Sequence, residues 1–229
     1  MSLPKPYYSH AGQTIYHGDC RDILPLLPKV DCFLTDPPYG VEGGKGGDSR
    51  KYAKAVYEGK WLDDLEYIES VCVSTIQTLV AGTRRGAVTP GKRALHLYLP
   101  AQDVGCFWHP AGCTHGPWGF NVFTPIVYYG TDFRAGKGPL PSGISVTEAA
   151  PHNGHPCPKP ERAWTWLLNK VCDDSEIVLD PFMGSGTTLV AAKLLHRKAI
   201  GIEIEEKYCA IAARRLGQEV LPFGTGEDS

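Results

Sequence analysis

The run Ile177-Val178-Leu179-Asp180-Pro181-Phe182-Met183-Gly184-Ser185-Gly186-Thr187-Thr188 constrains the fold more than any other part of the chain. Three apolar residues ending in a carboxylate read as a buried strand, and the glycine turn that follows opens directly into a helix predicted over Thr187 to His196. A strand that turns through glycines into a helix is the repeating step of an open, largely parallel sheet. Other short apolar runs predict strands at Thr14 to Tyr16, Asp31 to Thr35, Gly86 to Thr89, Asn121 to Tyr129, Glu176 to Leu179 and Lys198 to Glu203. Between them, Leu62 to Val80, Pro160 to Cys172 and Glu205 to Leu216 carry helical spacing, with Leu65, Ile68, Val71, Cys72, Thr75, Ile76 and Leu79 on one face of the first. The expectation is an α/β, doubly wound, Rossmann-like fold.

With 229 residues and 42% hydrophobic content, the chain suits one α/β domain over residues 1–229 and is tight for two. Met1 to Gly12 has no apolar core of a signal peptide, and no later run reaches the length of a membrane span, so a cytoplasmic protein without a membrane partner is expected. Eight dispersed cysteines then read as reduced thiols. Three stretches break the rhythm. Residues 40–60, glycine-rich and then lysine-rich, are expected to form a mobile loop. Pro100 to Gly119 reads as irregular, and residues 131–155 as a short linker or recognition segment. A formal charge of -2 leaves only local surfaces for a polyanion: Lys45, Arg50, Lys51, Lys54 and Lys60; Arg84, Arg85, Lys92 and Arg93; or Arg134 with Lys137.

The turn Gly184-Ser185-Gly186 lets a ligand approach the backbone, and the free N–H groups opening the next helix can meet its polar parts. Glu203, closing the strand after that helix, is placed to accept from the two hydroxyls of a ribose. By themselves these residues fit either a nucleotide-type cofactor or a plain structural turn.

Asp-Pro-Phe-Met-Gly-Ser-Gly-Thr-Thr resembles the S-adenosylmethionine motif of amino-group DNA methyltransferases, and Gly201-Ile202-Glu203 is similar to the acidic motif that follows it. His155-Pro156-Cys157-Pro158-Lys159-Pro160-Glu161 resembles the segment that precedes the cofactor motif in the family's permuted, β-type order. The resemblance runs from about Thr14 to Leu216. It implies a seven-stranded, mostly parallel sheet with one antiparallel strand and S-adenosylmethionine as cofactor. It further implies cofactor contacts from Asp19, Cys20, Asp36, Lys159, Asp180, Pro181, Phe182, Gly184, Ser185, Gly186, Thr187, Thr188 and Glu203. Lys159 falls at the methionine end, where an ammonium can neutralise a carboxylate. Asp19 can accept from the adenine amine or cap the helix Arg21 to Leu27, and the two roles are compatible.

Asp36-Pro37-Pro38-Tyr39 closes the buried run Val30 to Leu34, at the strand edge where open sheets bind ligands. The exocyclic amine of a nucleobase is a poor nucleophile, because its lone pair is delocalised into the ring. Acceptors at the Asp36 carboxylate and the Pro37 carbonyl favour a pyramidal nitrogen with that pair free. Pro37 and Pro38 remove N–H groups that would repel an amine, and Tyr39 offers a stacking face for a base flipped out of duplex DNA. The four residues are the expected catalytic set. The resulting expectation is adenine-N6 methylation of double-stranded DNA, with cytosine-N4 as the runner-up. RNA or protein-glutamine methylation, a dinucleotide-dependent oxidoreductase and a catalytically silent DNA-binding module are more distant readings. A second copy of the chain and a cognate restriction endonuclease are the further partners left open.

Two constellations are set aside. Pro156-Cys157 has the form of a nucleophile that attacks carbon, which amine methylation does not need. Cys106, His109, Cys113 and His115 lie close in sequence, but their gaps match no structural zinc spacing, and no metal is expected.

Overall fold

A computed structural model describes residues 2–39, 64–112, 114–116 (backbone only), 118–132, 141–148 and 159–218. The expected loop at 40–60 falls wholly outside them, as do Arg134, Lys137, the Cys113 and His115 side chains, and the His155 to Pro158 part of the motif before Lys159.

The strands are β1 (Tyr8–His10), β2 (Gln13–His17), β3 (Cys32–Thr35), β4 (Arg85–Val88), β5 (Asp103–Trp108), β6 (Thr114–Gly116), β7 (Gly119–Asn121), β8 (Phe123–Gly130), β9 (Ile144–Ser145), β10 (Ile177–Asp180) and β11 (Lys198–Glu203). The helices are α1 (Cys20–Ile23); α2, which runs through Leu65–Tyr67, a π-helical stretch Ile68–Val73 and Ser74–Gly82; α3 (Gly91–Ala94); α4 (Glu161–Val171); α5 (Thr187–Leu194); and α6 (Glu206–Gly217). The main sheet has the order β1-β2-β11-β10-β3-β4-β8-β5-β9, and β6 and β7 form a separate hairpin. Within it, β2-β11-β10-β3-β4-β8-β5 is the expected seven-stranded sheet, in which β8 alone runs antiparallel to its neighbours. Two short edge strands extend it to nine, β1 antiparallel to β2 and β9 parallel to β5.

Strand alternation places successive residues on opposite faces, and both faces are covered. Cys32, Leu34, Val178, Ala199 and Ala87 pack on one side with Trp164, Leu167, Leu189, Cys209 and Ala212 of α4, α5 and α6. Phe33, Leu179, Ile200, Ile202 and Val88 pack on the other with Ile68, Cys72, Ile76 and Leu79 of α2. The layers are therefore helix, sheet, helix.

Two expectations are corrected here. Residues 100–119 are not irregular throughout, since β5 pairs along six residues with β8. Its side chains are mostly exposed or half-buried, with only Phe107 buried, so it lacks the apolar run that marks a central strand. The segment 131–155 is likewise more than a linker, because Ile144–Ser145 adds to the outer edge of β5.

Candidate active site

β10 and β3 are adjacent in the sheet although far apart in sequence. From β10 the chain passes through α5 to β11 on one side, and from β3 through α2 to β4 on the other. Such a reversal opens a crevice at the carboxyl ends of the two strands. Asp180 ends β10, and Asp36 follows directly on β3. Thr35 Oγ1 bridges the junction by donating to Asp180 Oδ1 at 2.6 Å.

On the cofactor side, Gly186 caps α5 with φ +79°, and a Cβ there would lie 2.7 Å from Ala212 Cβ. Only glycine suits that conformation and that approach to α6. Glu203 Oε2 accepts from the Gly184 N–H at 2.9 Å and Oε1 from the Glu205 N–H at 2.9 Å, so the carboxylate at the end of β11 reaches across to the turn. Burial pushes its carboxyl up to about 7. Asp180 is buried beneath the turn and accepts from Thr35, from Thr188 Oγ1 at 2.5 Å and from the Phe182 N–H at 3.1 Å. Burial raises it to about 6, against the lowering effect of those donors. Trp164 Nε1 donates to Thr188 Oγ1 at 2.8 Å and so braces the same corner. Pro181 and Thr187 are also buried, while Phe182 packs partly against the α2-side core. Asp180 thus shapes the cradle from below, and the turn 182–186 forms its rim.

At the end of β2, Asp19 caps α1 through the Arg21 N–H at 2.9 Å. It also grips the Arg21 side chain, with Nε at 3.0 Å and Nη2 at 2.6 Å. That hydrogen bonding holds its carboxyl below the usual range. Of the two roles expected for Asp19, the cap is the one formed here. Cys20 is buried with its sulfur 3.6 Å from Thr75 Oγ1, and burial pushes the thiol up to about 11, which keeps it a neutral apolar wall.

On the target side, each oxygen of Asp36 has its own partners. Oδ1 accepts from the Tyr39 hydroxyl at 2.5 Å and from the Thr89 hydroxyl, and Oδ2 is paired with the Lys159 ammonium. Lys159 Nζ lies 5.0 Å from the centroid of the Tyr39 ring. The lysine expected at the methionine end of the cofactor is thus placed against the Asp36 carboxylate and the Tyr39 ring. Pro37 is buried and Pro38 half-buried between these groups. Gly91, at φ +66°, packs on the Tyr39 ring so closely that a Cβ would sit 2.8 Å from its Cγ.

Sequence reasoning missed Thr89 and Arg215. Thr89 lies one residue beyond β4, as Asp36 does beyond β3, and that parallel was available to find it. Arg215 Nη1 donates to the Ser185 carbonyl at 2.7 Å and Nη2 to Glu161 Oε1 at 3.0 Å, clamping the glycine turn to α4 from α6. No signal in the sequence marks it.

Half of the middle basic cluster, Arg84 and Arg85, is corrected. Arg85 is buried, with its guanidinium against Glu176 and the Val171 carbonyl, and Arg84 also pairs with Glu176. Both residues stand at the end of the sheet away from the crevice, Arg85 buried in the fold and Arg84 largely exposed above Glu176. Cys32, Cys172 and Glu176 have their ligand atoms within 4.8 Å of one another, but the Arg85 cation already occupies that carboxylate. His109 is engaged by Thr124 Oγ1 at 3.1 Å.

Residues 102–214 match the family described as DNA methylase, of the N6/N4 amino-methyltransferase type. The chain is 45% identical to the Type II methyltransferase M2.LlaDCHI of Lactococcus lactis subsp. cremoris, over 94% of this chain and 93% of the relative. It is equally 45% identical to the Type II methyltransferase M2.DpnII of Streptococcus pneumoniae, over 95% of this chain and 94% of that protein. Its fold is similar to that of the solved M1.HpyAVI–SAM complex, with a TM-score of 0.61 at 21% identity, over 90% of this chain and 100% of that one. With 45% identity over nearly the whole length of both relatives, the chain belongs to the S-adenosylmethionine-dependent amino-group DNA methyltransferases.

Proposed function

We propose that this enzyme methylates the exocyclic N6 of adenine in double-stranded DNA, acting on a base extruded into the crevice between β3 and β10. The observation that carries the reading is the Asp36 carboxylate, held by Thr89, Tyr39 and Lys159 beside the glycine turn. Bound S-adenosylmethionine supplies an electrophilic sulfonium methyl group. Gly184, Ser185 and Gly186 line its approach, and Glu203 receives the ribose hydroxyls with the lone pairs its two backbone bonds leave open. The incoming amine takes the place of the Tyr39 hydroxyl at Asp36 Oδ1, which frees the Tyr39 ring to stack on the base. Thr89 and Lys159 keep the carboxylate oriented so that the nitrogen lone pair is presented to the methyl group the cofactor would supply. The surplus proton then passes to Asp36 or through it to water.

Cytosine-N4 is the second reading, because that amine presents the same two hydrogens to Asp36. Asp rather than Ser ahead of Pro37-Pro38-Tyr39 favours adenine by resemblance. The motif order, base motif first and cofactor motif last, supports the permuted β-type arrangement within one catalytic domain. The designation of the relatives as Type II methyltransferases supports a place in a restriction–modification pair, beside an endonuclease of the same sequence specificity, and a cytoplasmic location is part of the same proposal. Among the described residues no helix is long and apolar enough to cross a membrane.

The test is incubation with unmethylated DNA and S-adenosylmethionine, followed by digestion to nucleosides, mass spectrometry and modification-sensitive sequencing. N6-methyladenosine is the expected product. N4-methylcytosine alone overturns the choice of base, and no transfer to DNA overturns the reading.

A further inference from the structure

The β6–β7 hairpin and the strands beside it expose an unusual number of large aromatic side chains: Trp118 is 101% exposed, Phe120 69%, Trp108 46% and Phe123 37%. Scattered single apolar residues need no explanation, but four exposed aromatics on one strand pair and the hairpin that adjoins it in the chain mark a surface that meets a partner. Trp108 and Phe123 are direct partners across the β5–β8 ladder and so share one face. Trp118 stands in the turn before β7.

This surface is tied to the catalytic carboxylate. Lys92 donates to Asn121 Oδ1 at 2.8 Å and lies 4.2 Å from the centroid of the Phe123 ring, so one ammonium joins the hairpin to α3. One residue earlier, Gly91 packs on the Tyr39 ring, and three residues earlier Thr89 donates to Asp36. The hairpin is thus fixed to the target-base motif through a few residues. A cation over the Phe123 ring, beside exposed Trp108, suits a polyanion with stacked rings better than a second copy of an apolar patch.

We infer that this face receives the duplex beside the target base, and that Trp118 enters the gap left in the base stack when that base is extruded. The inference rests on the extrusion reading above and adds the residue that holds the opened duplex. An indole stacks on any base, so Trp118 contributes to opening and not to sequence choice.

The test uses the full chain and a duplex carrying the site found by modification mapping, with the target base paired normally or set opposite an abasic position. Trp118→Ala is expected to lower kcat/KM on the paired duplex about tenfold or more, and on the unpaired target by less than about threefold, because opening is then already done. Trp118→Phe should restore most of the loss, and both variants should keep wild-type affinity for S-adenosylmethionine. Equal loss on both duplexes, or none on the paired one, overturns the inference. So does a variant that changes only self-association in sedimentation, which would make the face an interface between copies. With 2-aminopurine at the target position, a fluorescence rise undiminished in Trp118→Ala overturns the wedge alone. No rise even with the wild-type enzyme overturns extrusion itself.

Discussion

Lys159 and Asp36, far apart in sequence, meet as an ion pair through Oδ2, leaving Oδ1 to Tyr39 and Thr89. All three contacts fix the carboxylate in one orientation, and in the proposed reaction only the Tyr39 hydroxyl would yield its place to the base. Preorganisation of this kind lowers the barrier because no reorientation remains at the moment of transfer.

Asp36→Ala should reduce kcat at least about 100-fold, the scale of losing one preorganised polar group in an active site. Lys159→Met should give a smaller loss, since Thr89 still orients the carboxylate. Transfer of a labelled methyl group under single-turnover conditions measures both. A rate for Asp36→Ala within a few-fold of wild type would remove this residue from the mechanism.

Asp180 and Glu203 carry a pH signature. Their carboxyls are raised by burial from 3.8 to about 6 and from 4.5 to about 7, so the folded state holds protons that the unfolded state has released. Their contribution to stability is fully present below the unfolded values and is lost as pH rises through the folded ones. Without cofactor, wild-type stability relative to Glu203→Gln should fall on the order of a few kcal/mol between about pH 4.5 and pH 7. Thermal melts across that range report it, and a pH-independent difference would contradict the burial cause.

Gly186→Ala should destabilise the protein by about 1–3 kcal/mol, because alanine is strained at φ +79° and its methyl group meets Ala212. The same displacement moves the cradle, so affinity for S-adenosylmethionine should fall together with the melting temperature. Calorimetric titration separates this outcome from stability loss alone.

Glu176→Ala leaves the buried Arg85 guanidinium without its counter-ion and should cost about 3–5 kcal/mol in urea unfolding. The pair lies at the start of β4, away from the crevice, so kcat of the folded variant should stay near wild type. A large loss of kcat at full folding would show that this end of the sheet communicates with the site.

The parts of the fold that could be read in advance are those where apolar runs end in a chemically distinctive residue: β3 before Asp36, β10 at Asp180, β11 at Glu203. There, burial and function reinforce the same pattern. β5 was hidden because its pairing with β8 uses backbone groups while its side chains stay largely exposed. Arg85 could not be told from a surface arginine, since its partner Glu176 is 91 residues away in sequence. Asp19 shows the intermediate case: its position as a helix cap was legible, but its grip on Arg21 depends on a side-chain rotamer that spacing does not reveal.

The strand order also sets a timetable for synthesis. β2 and β3 emerge early, yet they are held apart in the sheet by β11 and β10, which emerge last. At a ribosomal pace of about 5–20 residues per second, β3 waits roughly 7–30 s for its neighbour β10, with one flank unpaired. Until then the nascent chain carries the base motif but no crevice. The crevice can therefore form only after the C-terminal strands take their places between the two that were made first.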